Sequence, residues 1–273
     1  ADQEDSGRLG RVRLADCPIH AALDRQDRWR RVRWMRSKSK KETLIVTKKP
    51  SYGNTFDVWR AGAGRVWTDY SHHAFVEGLR TGELPREAFL HYLVQDYVFL
   101  VHFSRAWSLA TVKSETLEEM KVCAGTVDAL VNHEMSLHIK ICAAEGIDED
   151  ALFAAQEAVE NLAYTRYVLD AGLQGDFLDL MSALAPCVMG YGEIGLRLAG
   201  GKAHDTAYTT WIATYADPEY QTVCSSVGAM IDNAVARRIG DLSQSPRAAV
   251  LQDRFDVATK LEVGFWQMGL NGP

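Results

Sequence analysis

The sequence lacks the signatures of several large protein classes. No apolar run approaches the roughly 20 residues of a membrane-spanning helix, and no apolar signal-peptide core follows its start. The five cysteines are odd in number, irregularly spaced and without a CxxC pair. This pattern disfavours disulfides and structural zinc, and favours reduced thiols in the cytoplasm. Neither a glycine-rich phosphate loop nor a GxSxG motif occurs, so nucleotide binding and serine hydrolysis have no support.

The chain has little excess of positive charge, except in one segment. The formal net charge is −6 over 273 residues, whereas general nucleic-acid binding relies on a basic face, so we expect no nucleic-acid partner. Residues 25–49, however, hold eleven Lys or Arg and two acids. We predict a basic N-terminal extension over 1–50, outside the core, and one domain over 51–273. A targeting peptide is the alternative, and the acids near the start count against it.

The sequence is rich in apolar residues at helical spacing. Hydrophobic residues make up 47% of the chain, enough to bury a core without disulfides or metals. Apolar side chains recur at steps of three and four, as from Phe89 to Leu93. The predicted helices cover 85–112, 118–144, 162–173, 176–198, 206–215, 218–239 and 246–270. With no alternating strand pattern, this predicts an all-α bundle with a wide, mostly apolar interior.

Two acids and a thiol stand inside apolar helical stretches. Asp96 lies in LVQDYVFL and Glu262 in KLEVGFWQM. An ionised carboxylate beside aromatic rings is costly unless paired. Each acid is therefore a partner in a buried network, a functional group with a shifted pKa, or an edge residue that reaches water. Cys187 follows Pro186, with Tyr191 one turn later on the same face. Free cysteines are often buried, so an inert core thiol is the alternative there.

Other polar and aromatic residues admit both functional and structural interpretations. NHEMSLH holds His133, Glu134 and His138. It differs from HExxH because the second histidine comes one residue late, so the two histidines face different sides and a zinc site would need further ligands. Ser71 precedes two histidines and is a candidate N-cap for the helix entering AFVEGLR. Four aromatic residues, each also explained by core packing, fall at related positions: Phe99, Tyr164, Tyr191 and Tyr215.

Four stretches taken together resemble one family. In order and spacing, the TenA/thiaminase II family matches FVEGLRTGELPREAFLHYLVQDYVFLVHFSRAWS, YTRYVLDAGLQGDFLDLMSALAPCVMGYGEIG, WIATYADPEY and LEVGFWQMGL, from roughly Tyr52 to Leu270. The resemblance implies a haem-oxygenase-like all-α fold and a homotetramer. It implies hydrolysis of 4-amino-5-aminomethyl-2-methylpyrimidine to the hydroxymethylpyrimidine and ammonia, in thiamin salvage, and some members cleave thiamin itself. No cofactor or metal is implied.

The resemblance also implies roles for single residues. Cys187 stands where the family has its nucleophile, which adds to the pyrimidine ring so that the exocyclic methylene expels its leaving group. Glu262 matches the acid/base, and Asp96 matches the acid that binds the amino group and ring nitrogen. The pocket-lining positions are matched by Phe99, Tyr164, Tyr191 and Tyr215. Phe99 stands where many members have Tyr, and the missing hydroxyl bears on the rate more than on the reaction type.

Two other hypotheses stay open at this point. One is a non-catalytic pyrimidine-binding or regulatory helical protein of the same fold, which Phe99 favours and the joint presence of Cys187, Asp96 and Glu262 disfavours. The other is a metal-linked or quinone-linked oxidase. An oxidase would need a cluster of histidine and carboxylate ligands, of which only Glu134 and His138 share a predicted helix face.

Overall fold

The computed structural model describes residues 50–200 and 206–272. The predicted extension therefore lies outside the described residues, except for Pro50. Within them the chain forms helices and turns without a strand, which confirms the all-α prediction. The helices are α1 Asn54–Ala63, α2 Arg65–Ser71, α3 Ala74–Thr81, α4 Arg86–Lys113, α5 Leu117–Ala129, a π-helical turn Leu130–Glu134, α6 Met135–Ala144, α7 Glu149–Phe153, α8 Val159–Gln174, α9 Phe177–Ala199, α10 Thr209–Ala216, α11 Pro218–Arg238, a 3₁₀ turn Leu242–Gln244 and α12 Arg247–Asn271.

Helix starts follow the chemistry of their first residues. The helix α4 begins directly after Pro85, and α11 begins with Pro218, whose missing N–H is not needed in a first turn. Asp176 caps α9, because its Oδ1 accepts hydrogen bonds from the backbone N–H groups of Leu178 and Asp179 at 2.9 and 3.1 Å. These starts agree with the predicted ones to within a few residues.

The predicted helix over 118–144 is interrupted. Helices α5 and α6 are joined by the π-helical turn Leu130–Glu134, in which the Met135 N–H donates to the carbonyl five residues back, at Leu130. A π turn admits one extra residue and changes which side chains share a face. The residues after it, including His138, therefore face directions that a uniform helical period does not give.

The predicted cap at Ser71 is wrong. Ser71 ends α2, and its hydroxyl donates to the Trp67 carbonyl at 2.8 Å. The N-cap of α3 is His73 instead, whose ring Nδ1 accepts a hydrogen bond from the Phe75 N–H at 3.3 Å. The capping role moves two residues along because α2 and α3 are separate helices with a sharp connection between them.

Helix α9 lies at the centre of the bundle. Almost all its residues are buried, as expected for a helix that is apolar on every side. It packs against α8, α10 and α12. Small residues permit the close approach: a Cβ on Gly195 would lie 2.5 Å from the Tyr215 backbone of α10. The residues that α9 presents to its neighbours therefore have fixed positions.

Two further features concern the whole described region. None of its helices is both long and apolar enough to cross a membrane. The four cysteines within it, Cys123, Cys142, Cys187 and Cys224, are all free thiols. Cys187 differs from the other three because it is only half-buried.

Candidate active site

A cavity of about 440 Å³ lies between α4, the end of α5, the π-helical turn, α9, α10 and the start of α11. Its volume suits a small heterocycle, and its wall is mainly apolar. Five of the seven predicted site residues line it: Asp96, Phe99, Cys187, Tyr191 and Tyr215. The other two, Tyr164 and Glu262, are buried next to this wall, where Glu262 contacts Cys187 and Tyr164 packs on Phe99.

The thiol of Cys187 lies close enough to the carboxyl group of Glu262 for each group to shift the pKa of the other. Glu262 comes from α12 and is 1% exposed. The Tyr164 hydroxyl donates to its Oε1 at 2.8 Å. Burial raises the pKa of Glu262 to about 8, and the charge of Asp96 adds to the rise, while the hydrogen bonds from Tyr164 and Cys187 oppose it. Near neutral pH this carboxyl can therefore both release and take up a proton.

The Cys187 thiol is protonated in the resting protein. Burial raises its pKa well above the usual range, and the neighbouring Glu262 carboxylate adds to the effect. This differs from the low-pKa thiolate that a nucleophilic cysteine often has. A base must remove the proton when sulfur attacks, and Glu262 is in contact with it.

Asp96 belongs to a buried network and does not lie at a wet helix edge. It is 4% exposed. Its Oδ2 accepts hydrogen bonds from the Tyr92 hydroxyl at 3.1 Å and from His138 Nε2 at 2.6 Å. His138 Nδ1 donates to the Glu134 carbonyl at 3.0 Å. Burial would lower the pKa of His138, but the hydrogen bond and charge of Asp96 outweigh it and raise that pKa to about 9.

Glu134, at the end of the π-helical turn, also lines the cavity. Its Oε1 accepts a hydrogen bond from the Tyr215 hydroxyl at 2.9 Å. Burial raises the pKa of Glu134, against the lowering effect of His138. The π-helical turn thus supplies the wall with a carboxyl group, and supplies His138 with a carbonyl acceptor.

Sequence reasoning did not assign the partners of Asp96. His138 and Glu134 were considered only as metal ligands, and Tyr92 was not singled out. A histidine four residues after a glutamate in a helix is only a weak indication that the histidine contacts Asp96. The decisive information is that His138 meets Asp96 across 42 positions of the chain, and this depends on the π-helical turn.

Aromatic rings form much of the cavity wall. The Tyr191 ring lies 4.9 Å from Tyr215 and 5.3 Å from Trp266, measured between centroids. On the opposite side the Phe99 ring lies 5.0 Å from Tyr164 and is almost fully buried. Such walls can hold a flat aromatic ring by stacking. Phe99 provides a face without a polar group.

In the described part of the chain, no group of three or more His, Cys, Asp or Glu side chains could hold a metal ion. Glu134 and His138, the two residues that an oxidase would need as ligands, bind Tyr215 and Asp96 respectively. Nothing in the described residues therefore favours the oxidase hypothesis.

The fold and the cavity define a class: an all-α protein with a neighbouring thiol and carboxyl group beside an aromatic-lined pocket. Residues 61–272 match the model of the TENA/THI-4/PQQC family, and the chain belongs to that family. This membership confirms the resemblance seen in the sequence.

Three known proteins illustrate the relationship. A relative from Halalkalibacterium halodurans named aminopyrimidine aminohydrolase is 33% identical over 208 residues, 76% of this chain and 91% of its own. The crystal structure of a TenA family transcription regulator from Silicibacter sp. TM1040 is 61% identical, with a TM-score of 0.78, covering 80% of this chain and 97% of that one. A Shewanella denitrificans domain of unknown function with a heme oxygenase-like fold is 11% identical, with a TM-score of 0.55, covering 80% and 92%. The last agrees with the predicted fold class.

Proposed function

We propose that the protein is an aminopyrimidine aminohydrolase of thiamin salvage, which hydrolyses 4-amino-5-aminomethyl-2-methylpyrimidine to the hydroxymethylpyrimidine and ammonia. The observation that carries the proposal is the contact between the Cys187 thiol and the Glu262 carboxyl, whose pKa is raised to about 8. The similarity to a relative named aminopyrimidine aminohydrolase supports it. Thiamin, which has the same pyrimidine, is a second candidate substrate.

The first half of the reaction needs one proton acceptor and one nucleophile. Sulfur of Cys187 adds to the ring carbon next to a ring nitrogen while its proton passes to the Glu262 carboxylate. The electron pair of the broken C=N bond moves to the ring nitrogen, at the edge that Asp96 binds. That pair then returns to form the exocyclic methylene and expels the amine. The amine leaves as ammonia with the proton held by Glu262.

The second half restores the ring. Water adds to the methylene carbon and gives a proton to Glu262, and the electron pair flows back to the ring nitrogen. Expulsion of sulfur re-forms the aromatic ring, and Glu262 returns the proton to Cys187. One carboxyl group acts as acid and base in turn, for which a pKa near the working pH is the best compromise. Tyr164, bonded to Oε1, leaves Oε2 of Glu262 for this exchange.

A non-catalytic regulator is the second candidate, because the 61% identical neighbour is named a transcription regulator. A protein that only binds a pyrimidine needs the aromatic walls and Asp96. It gains nothing from burying Glu262 beside a thiol, where burial raises the pKa of both groups. The enzyme is therefore the better-supported proposal.

The test measures ammonia released from 4-amino-5-aminomethyl-2-methylpyrimidine by the purified protein. We expect turnover, and we expect Cys187→Ala to abolish nearly all of it while the hydroxymethylpyrimidine product still binds. Cys123→Ala, the same substitution at a buried thiol away from the cavity, is the matched control. If the unaltered protein binds the pyrimidine but releases no ammonia, the binding-protein hypothesis replaces the enzyme.

Self-association is part of the same proposal. The resemblance implies a homotetramer, and three large apolar side chains on one face of α8 are exposed: Val159 at 75%, Leu162 at 42% and Leu173 at 68%. An oligomer that covers this face would remove apolar surface from water. Light scattering coupled to size exclusion should give four times the chain mass.

We also propose a cytoplasmic location, because free thiols persist in reducing compartments.

A further inference from the structure

The histidine behind Asp96 has both ring nitrogens engaged by acceptors. Nε2 lies 2.6 Å from Asp96 Oδ2, and Nδ1 lies 3.0 Å from the Glu134 carbonyl oxygen. A carbonyl oxygen can only accept, so Nδ1 carries a hydrogen. The pKa of His138 is raised to about 9 by the hydrogen bond and charge of Asp96, so near neutral pH Nε2 carries one too. With both hydrogens in place His138 is an imidazolium and forms a charge-assisted hydrogen bond with Asp96.

Hydrogen bonds to Asp96 are unevenly distributed over its two oxygens. Oδ2 takes both donors that the described residues supply, the Tyr92 hydroxyl and the His138 ring. Oδ1 receives none from those residues, and Asp96 lines the cavity. One oxygen is thus anchored to the protein, while the other is available to a ligand. His138 and Asp96 are both nearly inaccessible, at 2% and 4% exposure, so water does not compete for the anchored side.

We propose that His138 is a positioning residue for substrate binding: held by the Glu134 carbonyl of the π-helical turn, its ring fixes Oδ2 of Asp96 and thereby directs Oδ1 toward the amino edge of the pyrimidine. This inference rests on the proposed function for the identity of the ring. Without the hydrogen bond from His138, Asp96 would keep only the longer hydrogen bond from Tyr92, and Oδ1 would no longer be held in one orientation toward the cavity.

The test uses binding of the hydroxymethylpyrimidine product, measured by calorimetry, because binding does not depend on turnover. His138→Phe keeps a ring but removes both donors, and the dissociation constant should rise about tenfold or more, the loss of one charge-assisted hydrogen bond. His138→Gln can still donate to Oδ2 and should recover part of the affinity. His91→Phe, a similar change on α4 away from the cavity, should bind normally.

A double-mutant cycle separates positioning from general damage. If His138 acts through Asp96, then adding His138→Phe to Asp96→Asn should change the dissociation constant by less than about twofold, because the group it positions is already gone. In the single His138 variants, KM should rise more than kcat falls. Thermal unfolding checks that each variant is folded. If the His138→Phe protein does not fold, His138→Gln provides the test.

Full additivity of the two substitutions, or normal pyrimidine affinity in a folded His138 variant, would overturn the inference. An unaltered protein that binds the pyrimidine without releasing ammonia would contradict the proposed enzyme and leave the cycle valid. An unaltered protein that does not bind the pyrimidine would overturn both. The inference about His138 and the proposed reaction would therefore be overturned by different results.

Discussion

The Glu262 carboxyl and the Cys187 thiol both hold their protons more tightly than they would in water, and for the same reason. Burial disfavours the charged form of each group, and the charge of Glu262 raises the pKa of Cys187 further. The pair therefore avoids a state in which both are ionised. The state that prepares Cys187 to react with its substrate is the one in which the sulfur and the carboxylate share a single proton.

Replacing Glu262 by glutamine tests this sharing. Glu262→Gln keeps the size of the side chain and an acceptor for the Tyr164 hydroxyl, but it cannot transfer a proton. We expect kcat to fall on the order of 100-fold or more, the usual effect of a general acid–base group, with little change in pyrimidine affinity. Stopped assays of ammonia and calorimetry of product binding measure the two effects. Turnover preserved at saturating substrate alongside lost affinity would make Glu262 a binding acid instead.

The same carboxyl should make stability depend on pH. Its pKa is about 8 in the folded protein and about 4.3 in an unfolded chain. Between these values the folded state binds more protons than the unfolded state, so the free energy of unfolding falls as pH rises and levels off above the folded pKa. His138, with its pKa raised to about 9, acts in the same direction at somewhat higher pH.

As pH rises from about 5 to about 8, the free energy of unfolding of the Glu262→Gln variant should therefore fall less than that of the unaltered protein. His138 is present in both proteins, so its contribution largely cancels in the comparison. Urea unfolding at the two pH values gives the difference directly. An identical loss in the two proteins would show that Glu262 has an ordinary pKa in the folded state.

Several members of the site were identifiable from the sequence, while others were not. Cys187, Asp96 and Glu262 stand out because a polar group inside an apolar helical stretch needs an explanation, and the structure brings them to one cavity. Their chemical roles remain predictions. His138 and Glu134 could not be assigned, because their positions depend on a π-helical turn and on contacts between distant helices.

At the scale of helices, the packing of α9 against α10 controls the cavity wall. Gly195 of α9 lies against the backbone of α10, where a Cβ would approach the Tyr215 carbonyl carbon to 2.5 Å and the Ala216 nitrogen to 2.8 Å. Backbone atoms cannot move aside singly, so a larger residue would have to displace α10. Because Tyr215 lines the cavity, displacement of α10 would also disturb the site.

Gly195→Ala should therefore destabilise the protein by about 1–3 kcal/mol, the usual cost of overpacking, and lower turnover as well. Gly264→Ala in α12 is the matched control, because a Cβ there meets nothing within 4 Å. That change should stabilise the helix by up to about 1 kcal/mol. Denaturant unfolding of both variants, with ammonia assays, checks the pair. A Gly195→Ala protein as stable as the control would mean that α10 adjusts freely.

Helix positions were largely predictable because they depend on local chemistry. Prolines at first turns, the Asp176 cap and apolar periodicity are encoded within a few residues of each other. The interrupted α5–α6 helix and the cap at His73 were not predictable, because both depend on how neighbouring segments pack. Local signals thus fix where helices begin, whereas tertiary contacts decide where a helix departs from regular geometry.

At the scale of the whole molecule, packing contacts reach the N-terminal edge of the described residues. The Pro50 carbonyl accepts a hydrogen bond from Arg60 Nη1 at 2.9 Å. The same Arg60 nitrogen donates to Glu193 Oε2 of α9 at 2.8 Å. Tyr52 is 5% exposed, and its hydroxyl donates to Gln221 Oε1 at 2.6 Å. The boundary of the predicted domain can therefore be tested to within a few residues.

Two truncations define that boundary. Removing residues 1–49 deletes the basic segment, which lacks helical apolar periodicity, and keeps the contacts of Pro50 and Tyr52 with Arg60 and Gln221. We expect the melting temperature and ammonia release to stay nearly unchanged. Removing residues 1–53 also deletes Tyr52, and loss of a buried aromatic side chain costs about 3–5 kcal/mol, so this shorter protein should melt many degrees lower. If removal of residues 1–49 alone causes a comparable loss of stability or activity, the basic segment packs on the domain or completes the site, and the predicted boundary is wrong.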